Sequence, residues 1–287
     1  MENKHKVQCY AAPLEGITGY IYRNAHHKFF HGVDKYFTPF VTPKPKKGLN
    51  TREKNDILPE HNQDIVVVPQ ILTNKSEDFI KVAQMMGELG YKEVNLAVSV
   101  KTRLGMEKPE EIKDLISLYN QFPISEVIIH ARVREDYYKN PVNYEAFAEG
   151  FSQSIHPVCY NGDIFCAQDI QEVIKRFPKL SAVMVGRGMI ANPQLTESFD
   201  CAGDKSLEFS KKDIDYARWK AFLDELCYGY EYIMSGGRNV LFKLKEVWSY
   251  MIPLFPECEK YGKKIKKAKT VAEYHAIVNA LFREAGV

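Results

Sequence analysis

The chain has 287 residues, of which 45% are hydrophobic and 26% charged. That balance excludes disordered, collagen-like and small disulfide-scaffold classes, and the length suits one large domain or a domain of about two hundred residues with a smaller partner. Lys and Arg total 39 against 37 Asp and Glu, a net charge of +2 that neither demands nor excludes nucleic acid.

No run approaches eighteen consecutive apolar residues, so a membrane-spanning chain is not expected. The polar start Met1–Lys6 carries no signal-peptide pattern. The six cysteines form no C-x-x-C pair. That usage predicts a reduced, cytoplasmic protein with free thiols and no metal site.

The first two-thirds repeat one rhythm, in which a short apolar run ends in a polar or Gly-rich turn and a helical pattern follows. Strands are predicted over residues 7–14, 35–41, 65–71, 93–100, 126–130, 157–160 and 182–185. Runs such as Ile65-Val66-Val67-Val68 and Val127-Ile128-Ile129 are continuous, as strands buried on both faces are in a parallel sheet. Helices are predicted over 74–90, stopped by Gly90, and over 109–122, started by Pro109. The alternation argues for α/β, and the length favours a (β/α)-barrel over a short doubly wound sheet.

Polar residues gather at the strand ends: Gln70, Lys101 with Arg103, His130 with Arg132, Asn161-Gly162-Asp163 and Gly186-Arg187-Gly188. In a barrel those positions share one rim, where ligands bind. Gly-Arg-Gly allows backbone N–H groups and a guanidinium to approach a phosphate, although a tight turn with an exposed arginine reads the same way.

Residues 200–204 read as a linker, and the periodic segments beyond it are helical. A small antiparallel helical bundle is the expected second domain, giving a division at 1–200 and 201–287. Lys263, Lys264, Lys266 and Lys267 lie in a lysine-rich stretch there. The stretch is a solvated face or a contact for nucleic-acid phosphates.

At these residues the sequence resembles the tRNA-dihydrouridine synthase family. The resemblance rests on Ala12-Pro13-Leu14-Glu15-Gly16-Ile17-Thr18, Val68-Pro69-Gln70-Ile71-Leu72, Val100-Lys101-Thr102-Arg103-Leu104-Gly105, Ile128-Ile129-His130-Ala131-Arg132, Tyr160-Asn161-Gly162-Asp163 and Val185-Gly186-Arg187-Gly188, in family order. It implies an FMN-dependent reductase that uses NADPH to convert uridine in tRNA to dihydrouridine, with a helical C-terminal domain that helps hold the RNA. Pro13 and Leu14 would contact the flavin ring, Gln70 its edge, and Lys101 its N1–O2 side. His130 would lie between ring and ribityl chain. Asn161, Gly162 and Asp163 would hold the ribityl–phosphate region, and Gly186 and Arg187 the phosphate. Arg103 and Arg132, with the four lysines, would face tRNA.

One departure matters. The family places a strand ending N-x-G-C-P, a loop and a helix before its V-K-x-R-x-G strand. Here Lys92-Glu93-Val94-Asn95-Leu96 runs directly into Ala97-Val98-Ser99-Val100-Lys101. The resemblance therefore implies a barrel lacking about one βα unit and the cysteine that donates the proton, so no catalytic residue is assigned. Activity is expected to be impaired, and a non-catalytic FMN- or tRNA-binding protein is the alternative. A small-molecule flavin oxidoreductase on the same barrel is a weaker third reading. Seven strands do not simply close an eight-stranded barrel, so the sheet should rearrange or open beside residues 93–101. An open edge invites self-association.

Overall fold

A computed structural model describes residues 6–42, 48–92, 98–199, 214–255 and 258–287. The strands are β1 (Gln8–Ala11), β2 (Lys35–Val41), β3 (Val67–Ile71), β4 (Val98–Arg103), β5 (Ile124–His130), β6 (Val158–Asn161) and β7 (Ala182–Val185). They form one sheet in the order β3-β2-β1-β7-β6-β5-β4, and its pairings are parallel. Every strand pairs with its neighbour in sequence, and β7 returns to β1, as in a closed barrel. The exception is β3 with β4, which stand at opposite ends of the sheet. The result is a curled, opened barrel with a seam between β3 and β4. Residues 93–97, the start of the predicted fourth strand, lie outside the described residues.

The continuous apolar runs arise because both faces of the sheet are covered. Ile128, Cys159 and Met184 point into the barrel and pack with Tyr10, Ala12 and Phe37. Val127, Ile129, Tyr160, Val183 and Val185 alternate with them and belong to the larger core beneath the helices. Strands β6 and β7 are fully buried, whereas β4 is half-open along its length. Val98 on β4 and Leu72 just past β3 are exposed. Both lie at the ends of the described sheet.

The outer layer begins with α1 (Tyr20–Phe29), α2 (Thr51–Ile57) and α3 (Ser76–Glu88). Asn50 and Glu53 form a reciprocal cap at the start of α2. Beyond α3, Gly90 adopts φ +88°, the left-handed turn expected of a helix stop. The helix predicted over 109–122 is a 3₁₀ turn at Pro109–Glu111 followed by α4 (Ile112–Tyr119). Further helices are α5 (Tyr144–Gln153), α6 (Ala167–Arg176) and the short α7 (Arg187–Ala191).

The C-terminal helices are α8 (Tyr216–Ile233), α9 (Gly237–Met251), α10 (Cys258–Lys267) and α11 (Val271–Glu284). The predicted linker at 200–204 lies outside the described residues. One apolar cluster runs from the barrel helices into this region. Phe222 on α8 stacks edge-on against Tyr22 at 5.6 Å and Phe30 at 5.4 Å. Trp248 donates to the Tyr274 hydroxyl at 2.9 Å, and Trp219 to Gln194 Oε1 at 3.2 Å, so both indoles are satisfied where they are buried. Among the described residues no helix is long and apolar enough to cross a membrane.

Phe222 makes the barrel and the helices one packing unit. Phe222→Ala should cost about 3–5 kcal/mol and lower the urea midpoint of the whole chain. Loss of helical signal from α8–α11 alone, with the barrel unaffected, would contradict this coupling.

Candidate active site

The loop after β1 is held from below. Leu14 N donates to Thr18 Oγ1 at 2.8 Å. Arg23, fully buried, donates to Thr18 O at 3.0 Å, Asp56 O at 2.7 Å and Asn62 Oδ1 at 2.9 Å. Gly16 takes φ +84°, and its carbonyl accepts a hydrogen bond from Lys243 on α9. These contacts set Pro13 and Leu14 at the barrel mouth.

On the neighbouring side, Gly186-Arg187-Gly188 follows β7. A Cβ on Gly188 would sit 1.8 Å from Ile164 O, and one on Gly162 would sit 2.1 Å from the Tyr160 hydroxyl. Only glycine lets these two loops pack this closely. Asp163 links them electrostatically. Its carboxylate receives both Arg132 nitrogens, at 3.0 and 2.5 Å, and Arg187 at 2.6 Å. Burial would push the Asp163 carboxyl up, but Arg132, Arg187 and His130 hold it below the ordinary carboxylate range.

Lys101 and Arg103 were expected just beyond a strand, but they lie within β4. The β4–β5 ladder continues to the pair Arg103↔His130, and residues two apart share a face. Lys101 pairs with Ile128, so its side chain shares the interior face. Its accessible surface faces the barrel's cavities, and the protein around it desolvates the ammonium, lowering its pKa to about 8. His130 is lowered to about 3, first by burial and then by Arg103, Lys101 and Arg132. The mouth is thus crowded with cationic side chains around a neutral imidazole.

These side chains enclose a cavity of about 520 Å³. It is lined by Pro13, Leu14, Lys101, Arg103, His130, Asn161, Gly162, Gly186 and Arg187 from the sequence-predicted set. Asp163 stands behind it, bound to Arg187. Arg132 is 2% exposed and does not line the cavity, because its guanidinium is held by Asp163 and by Asn140 O at 2.7 Å. Gln70 lines a second cavity of about 220 Å³ between β3 and β4, and Lys101 lines both. Lys263, Lys264, Lys266 and Lys267 lie elsewhere, on the exposed side of α10, whose Tyr261 and Ile265 are buried.

Sequence reasoning missed Tyr138, Phe165, Glu246 and Tyr250, which also line the cavity. The Tyr137-Tyr138 doublet in a loop after His130-Ala131-Arg132 was a signal, and Arg187 lies over the Tyr138 ring at 4.0 Å. Glu246 and Tyr250 come from α9, far beyond Gly186-Arg187-Gly188, the last rim motif, and no local pattern announces them. Among the described residues no group of side chains is arranged to hold a metal ion.

The family model for dihydrouridine synthase matches residues 91–285. The chain belongs to the dihydrouridine synthase family. Among curated relatives it is 24% identical over 186 residues to a tRNA-dihydrouridine(16) synthase of Vibrio parahaemolyticus, covering 63% of this chain and 54% of the relative. It is 25% identical over 199 residues to the enzyme of that name from Neisseria meningitidis, covering 67% and 57%. The chain thus spans about half the length of these dihydrouridine synthases. Among solved structures, morphinone reductase in complex with tetrahydroNAD aligns at 11% identity and TM-score 0.48, over 68% of this chain and 86% of that one.

His130 gives the synthase fold a pH dependence. His26, fully buried between the Tyr36 hydroxyl and Pro193 O, is also lowered to about 3, by burial first. Both folded-state values lie below the unfolded value near 6.5. The neutral rings therefore stabilise the fold above pH 6.5, and that contribution is lost as pH falls toward 3. The melting temperature should drop through this window, and His130→Asn should flatten the drop while leaving the His26 share. An unchanged slope in the variant would show that His130 is not desolvated.

Proposed function

We propose that the mouth cavity is an FMN site and that the chain belongs to the machinery reducing uridine to dihydrouridine in tRNA, with NADPH as reductant. The observation that carries the reading is convergence: residues from β1, β4, β5, β6 and β7, separated widely in sequence, line one cavity in a chain of this family. The residues suit the group. In the adjoining cavity, which Lys101 also lines, Gln70 Oε1 is buried without a partner, as expected of an acceptor for a ring N–H reaching across from the mouth. Arg187 and the backbone of Gly186–Gly188 offer the chemistry of a phosphate site.

In this reading Pro13 and Leu14 lie against the ring and Gln70 meets its edge. Lys101 supports negative charge at the N1–O2 side, and His130 separates ring from ribityl chain. Asn161 and Gly162 border the ribityl–phosphate region, where Asp163 sets the angle of Arg187. Bound FMN would supply the hydride for C6 of a uracil ring extruded from the RNA. Arg132 acts as a positioning residue, since its charge is committed to Asp163. Arg103 stays in the cavity wall, with one nitrogen on Val133 O at 2.9 Å, and the α10 lysines offer phosphate contacts to tRNA. Residues 1–200 would then serve the flavin and 201–287 the RNA, in the cytoplasm.

A second reading is favoured by one observation. Among the described residues no cysteine lines the cavity. Cys159 points into the barrel, fully buried, and burial with the nearby Glu126 charge pushes its thiol far above its usual range, which makes it a poor acid. Without a general acid, turnover should be 10²–10⁴-fold below that of a complete enzyme. The chain would then serve chiefly as an FMN- and tRNA-binding protein.

Purified protein should carry near-stoichiometric FMN by visible absorption, and a colourless protein that takes up no added FMN would sink the flavin reading. Lys101→Met should weaken FMN binding about tenfold at pH 7. In the wild type, affinity should fall as pH rises through about 8, where Lys101 loses its charge, and the variant should lack that fall. Transfer RNA should bind with strong salt dependence, and alanine at Lys263, Lys264, Lys266 and Lys267 together should reduce the salt slope by several units.

We also infer that the seam between β3 and β4 supports self-association through its unpaired edges. Light scattering should then show a dimer that Leu72→Lys converts to monomer, whereas a monomeric wild type would refute it.

A further inference from the structure

Two carboxylates line the mouth cavity, Glu15 and Glu246. Their situations differ. Glu15 lies at the surface and is paired with Arg52. Glu246 projects from α9, and its Oε2 is buried with no hydrogen-bond partner. Of the groups nearby, Lys243 donates to Gly16 O and the Tyr230 hydroxyl to Ile17 O at 3.5 Å, and neither bonds Glu246 Oε2. The carboxylate sits against the loop after β1, beside Gly16. A Cβ there would lie 3.6 Å from both Glu246 oxygens. An orphaned buried carboxylate oxygen is destabilising unless something completes it. The rest of the cavity wall is rich in donors: Lys101, Arg103, Arg187 and Asn161. A ligand dominated by acceptors, with a single N–H to place, would match this distribution.

We propose that Glu246 accepts a hydrogen bond from the imide N–H of a pyrimidine ring in the cavity, and so sets specificity for a cyclic imide. The inference rests on the reading of the cavity as a flavin and uridine site. A –CO–NH–CO– edge presents two acceptors around one donor. Uracil has this edge and so does the flavin ring, whereas cytosine presents a bare acceptor nitrogen at the same position. A fixed carboxylate attracts the first kind of edge and repels the second.

The test uses FMN titration, followed by titration of the FMN-loaded protein with 5′-UMP and 5′-CMP, in wild type, Glu246→Gln and Glu246→Ala. Wild type should bind UMP about tenfold or more tightly than CMP. Glu246→Gln can rotate its amide to meet either edge, so its ratio should approach one. Glu246→Ala should weaken UMP about tenfold and tighten CMP, because the repulsion of its ring nitrogen is gone. Melting temperatures should hold or rise in both variants, because each removes a buried carboxylate oxygen that has no hydrogen-bond partner. If FMN affinity instead falls about tenfold in Glu246→Ala, with the nucleotide ratio unchanged, the imide recognised is the flavin's own. If FMN affinity and nucleotide ratio both match wild type in both variants, the proposal is overturned. It is overturned equally if both variants melt several degrees lower with no ligand-specific change, since Glu246 would then be structural. Wild-type protein that takes up no FMN overturns the broader flavin reading; Glu246 is then judged by the UMP and CMP ratio on the flavin-free protein, where no preference for UMP overturns it.

Discussion

The parallel pairing of β1 with β7 is the constraint on which the rest depends. Four consecutive pairs, from Gln8↔Ala182 to Ala11↔Val185, join the first strand to the last. That join is the longest-range step in the sheet, and it lets the seven described strands curl. It places the loop carrying Pro13 and Leu14 beside the loop carrying Gly186 and Arg187. It also brings α7 under α9, so that Glu246 and Tyr250 reach the barrel mouth. Without it, the two halves β1–β3 and β4–β7 would share no strand contact among the described residues.

Charge at the mouth follows from a second economy of design. One carboxylate, Asp163, serves two arginines. Arg132 is buried and fully engaged, so it stiffens the carboxylate, and the carboxylate in turn aims Arg187 at the cavity. Lys101 and Arg103 share one strand face with His130 opposite. Their mutual repulsion and the loss of water keep the imidazole neutral and weaken the proton affinity of the lysine. An anionic ligand would relieve both effects, which is the expected signature of a site built around a phosphate and an electron-rich ring.

The sheet was legible in the sequence to a considerable depth. Residues 35–41 and 182–185 were bounded as they stand in β2 and β7, because Gly and polar turns flank compact apolar runs. Gly90 marked the end of α3 for a stereochemical reason that survives in its positive φ. Seven strands were expected from the sequence, and seven form the sheet, with β3 and β4 at its two ends. Other features were not local. The rim residues on β4 sit inside the ladder, since register with β5 decides where a strand stops. Arg132 looked like a ligand contact and is an internal strut, a difference made by Asp163 thirty-one positions away. Glu246 and Tyr250 belong to the site only because α9 folds back over the barrel. The lysine stretch, open between helix and loop, is the polar face of α10 with Tyr261 and Ile265 beneath it.

The seam has a kinetic side. Lys101 lies on β4, which among the described residues has a strand partner on one side only and is the least buried strand of the sheet. Edge strands open first, and amide exchange should therefore be fastest on the strand that carries this ammonium. Its neighbours β5, β6 and β7 are the rigid wall. A ligand that grips Lys101 together with residues of that wall acts as a clasp across the weakest point of the sheet. Part of its intrinsic affinity is then spent on ordering the edge, and in return occupancy of the mouth and integrity of the fold become a single linked equilibrium.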